Sequence, residues 1–401
     1  MVVGLIACSL AGPAALIRAQ EYSPVVEDRY DTAVVTPMAG VNGDVNDKRG
    51  GWDLGAIISA AYDDNIFLSA SQPEADTVVR LAPVVAYTKG DDNPWQGEGV
   101  FIRGGYRPTG VVYFENGDEN RIDHEALLNA GWRGKATRLS YAGALRKLGD
   151  ATAETGRPTD RLEYDNELRA AWIAREKVAV EVAAGHDVND YLDPGFIDSE
   201  KTYGEVAVRY VYSPKTELGL IYQIGRFKVD GSGPQHTNQL TGAMKWQPRE
   251  KIGIRLEAGA ENRKTDNGSS TNPVVAGRFE WAPRKETVVF VNAYSREEAS
   301  SFLAGQNYSV RGVSAGVSQR LGSDWTATLE GGYERNSYEQ VSGTGQAGRE
   351  DKLWFLQPAL VRRLGDKSDL KLFYRISDNK SSDRNFGYDQ RIIGIELNHR
   401  F

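Results

Sequence analysis

The sequence predicts an all-β fold, a transmembrane antiparallel β-barrel of about 18 strands, with 16 as the alternative count. Three observations support this prediction. Apolar and polar residues alternate in many segments of about ten residues, the connections between them alternate in length, and no run of 18 apolar residues follows the N-terminus. A β-sandwich also alternates, but its polar faces cover two short sheets, whereas these segments are long and numerous.

The N-terminal residues precede the alternating region. Residues 1–19 form an apolar stretch that ends in small residues, which predicts a cleaved export signal peptide. No Lys or Arg precedes this stretch, which leaves the true translation start open. A lipoprotein signal at Cys8 and a short buried helix are the alternatives. Residues 20–51 are polar and are expected to form a flexible periplasmic segment, and residues 52–401 are expected to form the barrel.

The alternation is clearest where Ile252, Ile254 and Leu256 share one face and Arg255 and Glu257 the other. Pro83 and Pro358 fall inside strands and predict bulges, because proline cannot donate to a ladder. The predicted strands are 52–65, 76–89, 97–114, 119–132, 135–147, 160–173, 177–188, 201–213, 215–228, 235–247, 251–263, 273–282, 286–296, 307–321, 324–336, 351–363, 367–378 and 388–401.

The connections fall into a short and a long class. Several short ones carry an aromatic-x-Pro-basic sequence, as in Trp246–Arg249 and Trp281–Arg284, which predicts tight periplasmic turns. The long polar ones, such as 148–159 and 264–272, are expected to be external loops.

Aromatic residues recur at the strand ends beside the short connections. Rings at both membrane interfaces are typical of barrels, so these residues predict a girdle: Trp52, Trp132, Trp172, Tyr212, Trp246, Trp281 and Trp325. In the last strand, one face predicts the C-terminal signal that barrel assembly machinery reads: Ile393, Ile395, Leu397 and Phe401. His399 departs from that pattern, because an apolar or aromatic residue is usual there.

The opposite face of the strands carries charges of both signs. Such charges form ion-pair ladders that stiffen the wall, or tune the passage of polar solutes. The predicted pore-lining residues are Glu163, Asp165, Glu167, Arg169, Glu205, Arg209, Arg255, Glu257, Arg278, Glu280, Lys371, Arg375 and Glu396.

Composition and motifs narrow the function. The formal charge of −7 disfavours a general nucleic-acid binder, and a single Cys excludes disulfides within the chain and Cys-based zinc sites. No phosphate-binding loop, dinucleotide fingerprint, HExxH or GxSxG motif occurs. Two His/Asp neighbours, Asp123-His124 and His186-Asp187, are the only candidates for catalysis. We expect no enzyme activity, no cofactor and no metal.

Two segments resemble the opening of the putative beta-barrel porin-2 family: Tyr62–Phe67, within Ser59–Ser69, and Asp76–Pro83, within Ala75–Tyr87. The resemblance extends over about 52–401. It implies a Gram-negative outer-membrane barrel, and many family members resemble proteins encoded with exopolysaccharide export machinery.

The sequence therefore predicts a porin-like barrel that passes polar solutes, with an exopolysaccharide as the substrate that the resemblance implies. A docking barrel of an export complex with a closed lumen is the first alternative. An outer-membrane enzyme and a secreted β-sandwich adhesin are the others. Expected partners are outer-membrane lipid, the barrel assembly machinery and periplasmic polysaccharide-export proteins.

Overall fold

A computed structural model describes residues 50–90, 98–266, 268–302, 305–339 and 348–401. The predicted signal peptide and nearly all of the predicted periplasmic segment lie outside these residues. The 18 strands are β1 (Gly51–Asp63), β2 (Asp76–Lys89), β3 (Gly99–Tyr113), β4 (Arg121–Arg133), β5 (Thr137–Leu148), β6 (Arg161–Arg175), β7 (Val178–Tyr191), β8 (Ser199–Ser213), β9 (Thr216–Val229), β10 (Gln235–Arg249), β11 (Ile252–Thr265), β12 (Gly268–Arg284), β13 (Thr287–Ala299), β14 (Asn307–Leu321), β15 (Trp325–Tyr338), β16 (Glu350–Arg363), β17 (Ser368–Ser381) and β18 (Tyr388–Arg400).

The sheet closes on itself. Each strand pairs antiparallel with the next along the chain, and β18 pairs with β1, where Ser59 lies opposite Glu396. Closure removes both sheet edges, so the backbone N–H and C=O groups of the edge strands find partners. The predicted barrel and its count of 18 strands are confirmed.

Alternation along each strand separates an outward from an inward face. In β9, Leu220 is 57% exposed, whereas the next residue, Ile221, is 1% exposed and packs inside against Ala207 and Ala243. Large apolar side chains stay exposed all around the barrel on the outward face, which is the arrangement of a wall that faces lipid. Within the described part of the chain, no helix is long and apolar enough to cross a membrane.

The two ends of the barrel differ. The chain enters and leaves at the turn end, where the backbone N–H of Phe401 donates to the carbonyl of Leu54. Most connections at this end have two to four residues, whereas those at the opposite, loop end are mostly longer. One predicted loop is wrong: the strands extend through 264–272, so that only 266–267 connect β11 to β12.

The sequence predicts a turn at each aromatic-x-Pro-basic sequence, and this prediction is wrong for two of them. Trp246–Arg249 and Trp281–Arg284 end their strands in a shift of register, and the two-residue turns 250–251 and 285–286 follow them. An extra residue there explains the proline, because a bulge leaves one N–H outside the ladder. Tyr212–Lys215 matches the prediction better, since Pro214 and Lys215 form the turn.

The bulges predicted at Pro83 and Pro358 are absent. Ladder pairing stops beside both prolines and resumes in the same register, so no extra residue is inserted. At the first site the register places Pro108 of β3 opposite Pro83. Two residues that lack an N–H thus share one gap in the ladder, which limits the loss of hydrogen bonds.

Candidate functional site: the lumen wall and the loop end

All predicted pore-lining residues lie on the inward face. Their strand neighbours Tyr164, Leu168, Val208, Leu256 and Phe279 are exposed on the outward face, and the period of two places the charges opposite. Oppositely charged residues recur two positions apart, so that both face inward and pair along one strand, as in Arg161–Glu163 and Arg278–Glu280. Whether they line an open pore stays a prediction.

A shielded cluster occupies the wall formed by β6, β7 and β8. We define it by its members, Glu167, Arg169, Glu181, Glu205 and Arg209. Arg169 lies 2.8 Å from a carboxylate oxygen of Glu167 and 3.1 Å from those of Glu181 and Glu205. Arg209 Nε is 3.5 Å from the second oxygen of Glu181. Side-chain exposure ranges from 1% for Glu181 to 12% for Arg169, so these charges compensate one another away from solvent.

Neighbouring groups add hydrogen bonds to the carboxylates of this cluster. The Tyr203 hydroxyl donates to Glu167 at 3.0 Å, and the Gln223 amide donates to Glu205 at 3.4 Å. A second group on β4, β5 and β6 centres on Arg146, whose guanidinium lies 2.8 Å from Asp165 and 3.5 Å from Glu163. One side of the wall therefore carries two neighbouring groups of ion pairs.

Other inward pairs meet water. Arg278 and Glu280 of β12 are 2.6 Å apart, with side chains 29% and 25% exposed. Lys371 of β17 and Glu396 of β18 are 3.8 Å apart and are also partly exposed. We call the first of these the solvated pair. Because its charges remain accessible, they are the ones that a solute in the lumen would meet.

Four connections meet across the loop end in what we call the loop junction. They are 149–160 and 192–198 on one side of the ring, and 300–306 and 382–387 on the other. The Ser301 backbone N–H and hydroxyl donate to one oxygen of the Glu154 carboxylate at 2.7 and 2.9 Å. The Ile197 N–H donates to the carbonyl of Ser301 at 2.8 Å.

Aromatic rings fill the same junction. Phe196 packs against Phe302 with ring centroids 4.9 Å apart, and Phe302 packs edge-on against Phe386 at 5.4 Å. Arg349, which directly precedes β16 in a fifth connection, adds to the junction: its guanidinium lies 3.7 Å from the Phe386 ring and 3.9 Å from that of Tyr338. Ring packing and cation–π contacts together join loops that belong to distant strands.

Glu154 is the titratable group at the centre of the loop junction. Burial raises the pKa of its carboxyl, and the nearby Glu298 carboxylate adds to this effect. The donors of Ser301 and the charge of Arg349 act in the opposite direction without cancelling the shift. The assembled junction therefore favours the protonated form of Glu154.

The predicted girdle residues are exposed on the outward face towards the turn end, from 37% for Trp325 to 68% for Trp52. In the last strand Ile393, Ile395 and Phe401 are exposed outward and Leu397 is half-buried. The ring of Phe401 packs edge-on against His399 at 5.0 Å.

The two candidate His/Asp neighbours do not form catalytic pairs. His124 faces outward, accepts or donates a 2.7 Å hydrogen bond with Tyr106, and stacks on its ring, whereas Asp123 faces inward and binds Arg121. Adjacent strand residues point to opposite faces, which is why a sequence neighbour is not a spatial partner. No group of three metal-ligating side chains occurs among the described residues.

Sequence reasoning missed several inward charges and the loop junction. The charges, among them Arg146, Glu181 and Arg263, lie one position from outward-facing residues, as Arg146 does beside Leu145 and Glu181 beside Val182, and could have been found by extending the alternation. The junction joins residues more than 100 positions apart, such as Glu154 and Ser301. No local pattern signals such contacts.

Comparison with known proteins agrees with this fold. The model of the family Putative beta-barrel porin 2 matches residues 268–401, which confirms the family resemblance in the last third of the chain. No curated protein matches the sequence.

Solved outer-membrane barrels are similar in fold at low sequence identity. OccK2 (OpdF) of Pseudomonas aeruginosa, solved with glucuronate, has a TM-score of 0.50 at 11% identity, over 88% of this chain and 98% of that one. OpdQ of Pseudomonas aeruginosa gives 0.48 at 12%, over 88% and 100%. OccAB4 of Acinetobacter baumannii gives 0.48 at 10%, over 89% and 100%.

Proposed function

We propose that this chain, a closed 18-stranded barrel whose last third matches a porin family model, is an outer-membrane channel for polar solutes. The observation that carries the proposal is the pairing of an outward apolar wall with an inward face that holds charges of both signs. Side chains no longer fill a barrel of this size, so a water-filled passage fits the strand number. Transport, rather than catalysis, is the activity that this arrangement supports.

The orientation and route of export belong to the same proposal. The loop end faces outward from the cell and the turn end faces the periplasm, in line with the usual asymmetry of loops and turns. Residues 1–19 act as a cleaved signal peptide, and the face that ends at Phe401 engages the barrel assembly machinery. Recovery of the mature chain in the outer-membrane fraction, with heat-dependent gel migration, is the expected result.

We further propose that the solute is a polysaccharide, a substrate class that the family resemblance suggests. Uronate-containing oligosaccharides suit a lumen that presents both cations and carboxylates, because the cations pair with uronate and the carboxylates accept hydroxyl donors. Liposomes that contain the purified barrel should swell in such oligosaccharides faster than protein-free liposomes. Absence of swelling with every polar solute tested would overturn the channel.

The loop junction favours a second candidate, a barrel closed at its loop end that docks an export complex. Planar-bilayer recordings separate the two candidates. If the junction limits flow, Glu154→Ala should raise conductance, because Ser301 then loses its acceptor. Asp230→Ala, an exposed carboxylate in the 230–234 connection, is the matched control and should leave conductance unchanged.

The pH dependence of the same recordings follows from the pKa of Glu154. The pKa of Glu154 is raised in the assembled junction, so ionisation of this carboxyl destabilises the junction increasingly as pH rises through that pKa. Wild-type conductance should therefore increase from acidic to neutral pH. Glu154→Gln retains an acceptor for Ser301 and should remove this rise. Conductance near zero in wild type and in Glu154→Ala would favour the docking barrel.

A further inference from the structure

A row of outward-facing residues crosses five strands close to the loop end. Strand register places its members directly side by side: His186 of β7, Thr202 of β8, Arg226 of β9, His236 of β10 and Lys264 of β11. Arg226, His236 and Lys264 are exposed. Their strands are about 4.8 Å apart, so the three side chains span about 10 Å of the outer wall.

Among the described residues, no carboxylate lies within ion-pair distance of Arg226, His236 or Lys264. Glu200, two residues from Thr202 on the same face, is paired with Lys228 at 3.1 Å. Arg226 and Lys264 lie on either side of His236, so an anion bound between them would neutralise two like charges on the same face of the sheet.

A depression of about 680 Å³ lies at this row on the outer wall. Gly204 lies two residues from Thr202 on the same face, and a side chain added there would meet no atom closer than 4.0 Å, so the wall is hollow at this point. Ile224, which is 52% exposed, lines the same depression and begins the apolar outward face of β9. The loop side of the depression carries Arg226 and His236 beside the paired Lys228 and Glu200, and its membrane side is apolar.

We propose that Arg226, His236 and Lys264 bind the phosphate groups of a phosphorylated membrane lipid, whose acyl chain lies over Gly204 and Ile224. Charge complementarity supplies the first half of the argument, because Arg and Lys form strong charge-assisted hydrogen bonds with phosphate oxygens. Continuity with the apolar wall supplies the second, because a lipid places its phosphate at the interface directly beside its chain. The proposal concerns the outer wall and holds whether or not the lumen conducts.

A second outward row of basic residues differs from the first because a carboxylate of the protein pairs with it. Arg311, Arg335 and Lys352 lie side by side on β14, β15 and β16. There Glu350 forms ion pairs with both Arg335 and Lys352. A carboxylate of the protein thus already pairs with two of the three cations of that row. Arg226 and Lys264 pair with none of the described carboxylates, so the row on β9 to β11 is the stronger lipid site.

The test measures retention of diphosphorylated lipid A by the full-length barrel in neutral detergent, with native mass spectrometry. Wild type should retain the lipid, and Arg226→Gln/Lys264→Gln should bind it at least about tenfold more weakly, since each charged hydrogen bond is worth roughly a factor of ten or more. Lys215→Gln removes one charge from the turn of the same β8–β9 hairpin and should bind as wild type does.

Further measurements separate the contributions of the depression and of the lipid phosphates to binding. Gly204→Leu fills the depression without changing charge and should also weaken binding, which gives an independent variant if the double substitution folds poorly. Dephosphorylated lipid A should bind weakly, and inorganic phosphate should not displace the lipid. Equal retention by wild type and both variants would overturn the proposal. Equal binding of dephosphorylated lipid would also overturn it, and displacement by inorganic phosphate would replace the lipid with a free anion.

Discussion

The shielded cluster and the solvated pair use the same residue types on the same face, yet they meet different surroundings. In the cluster on β6 to β8, Glu181 touches two guanidinium groups and is 1% exposed. In the pair on β12, Arg278 and Glu280 bond to each other and each keeps about a quarter of its side chain in solvent. Position in the ring, rather than residue type, therefore decides how a lumen charge acts.

This difference assigns separate tasks to the two regions. A charge without water around it must be matched by its neighbours, so the shielded cluster contributes to the wall and its loss is costly. A charge that remains hydrated adds little to stability, but it sets the potential that a passing ion experiences. Substitutions can test whether the shielded cluster controls stability and the solvated pair controls ion preference.

The largest effect should come from the shielded cluster. Glu181→Gln removes the negative charge between Arg169 and Arg209 while preserving size, which leaves two shielded cations with less compensation. We expect the free energy of unfolding to fall by about 3 kcal/mol. Urea titration of the barrel in lipid vesicles measures this free energy. A smaller loss for Glu181→Gln than for Glu280→Gln would contradict the structural role given to the shielded cluster.

A test of the faces comes next in size. Leu256→Arg places a charge on the outward apolar wall of β11 and should destabilise the barrel by about 2–4 kcal/mol. Ala276→Arg is the matched control, because Ala276 lies on the adjacent strand opposite Glu257, faces the lumen and is exposed. Equal losses of folding free energy in the two variants would show that the inward and outward faces are assigned wrongly.

The solvated pair should respond least in stability. Glu280→Gln is the same chemical change as Glu181→Gln, but at a hydrated site, and should lower the free energy of unfolding by no more than about 1 kcal/mol. Assembly, followed by heat-dependent gel migration, should remain normal. A loss as large as that at Glu181 would mean that hydration does not distinguish the two regions.

The strand number and the inward and outward faces could be predicted from the sequence, because apolar and polar residues alternate along each barrel strand. Leu256 and Glu257 show their faces by alternation alone, and repetition gives the strand number. The bulges were misplaced because proline can also sit in an uninterrupted register, as Pro83 does opposite Pro108. A lone proline does not reveal what lies across the ladder.

The difference between the shielded cluster and the solvated pair could not be predicted in the same way. Arg169 and Arg278 have equivalent local patterns, and only the packing of three neighbouring strands makes one inaccessible. The contact between Glu154 and Ser301 depends likewise on how distant loops meet. Such features depend on residues that closure of the barrel brings together from distant parts of the chain, so no short segment of sequence indicates them.

The most direct test of the central claim, that solutes pass the solvated charges of the lumen, is the reversal potential of single channels in a salt gradient. Glu280→Gln should shift it towards anion preference, and Arg278→Gln should shift it towards cation preference, relative to wild type, with both proteins assembling normally. Channels whose reversal potential is the same in wild type and in both variants would contradict the claim.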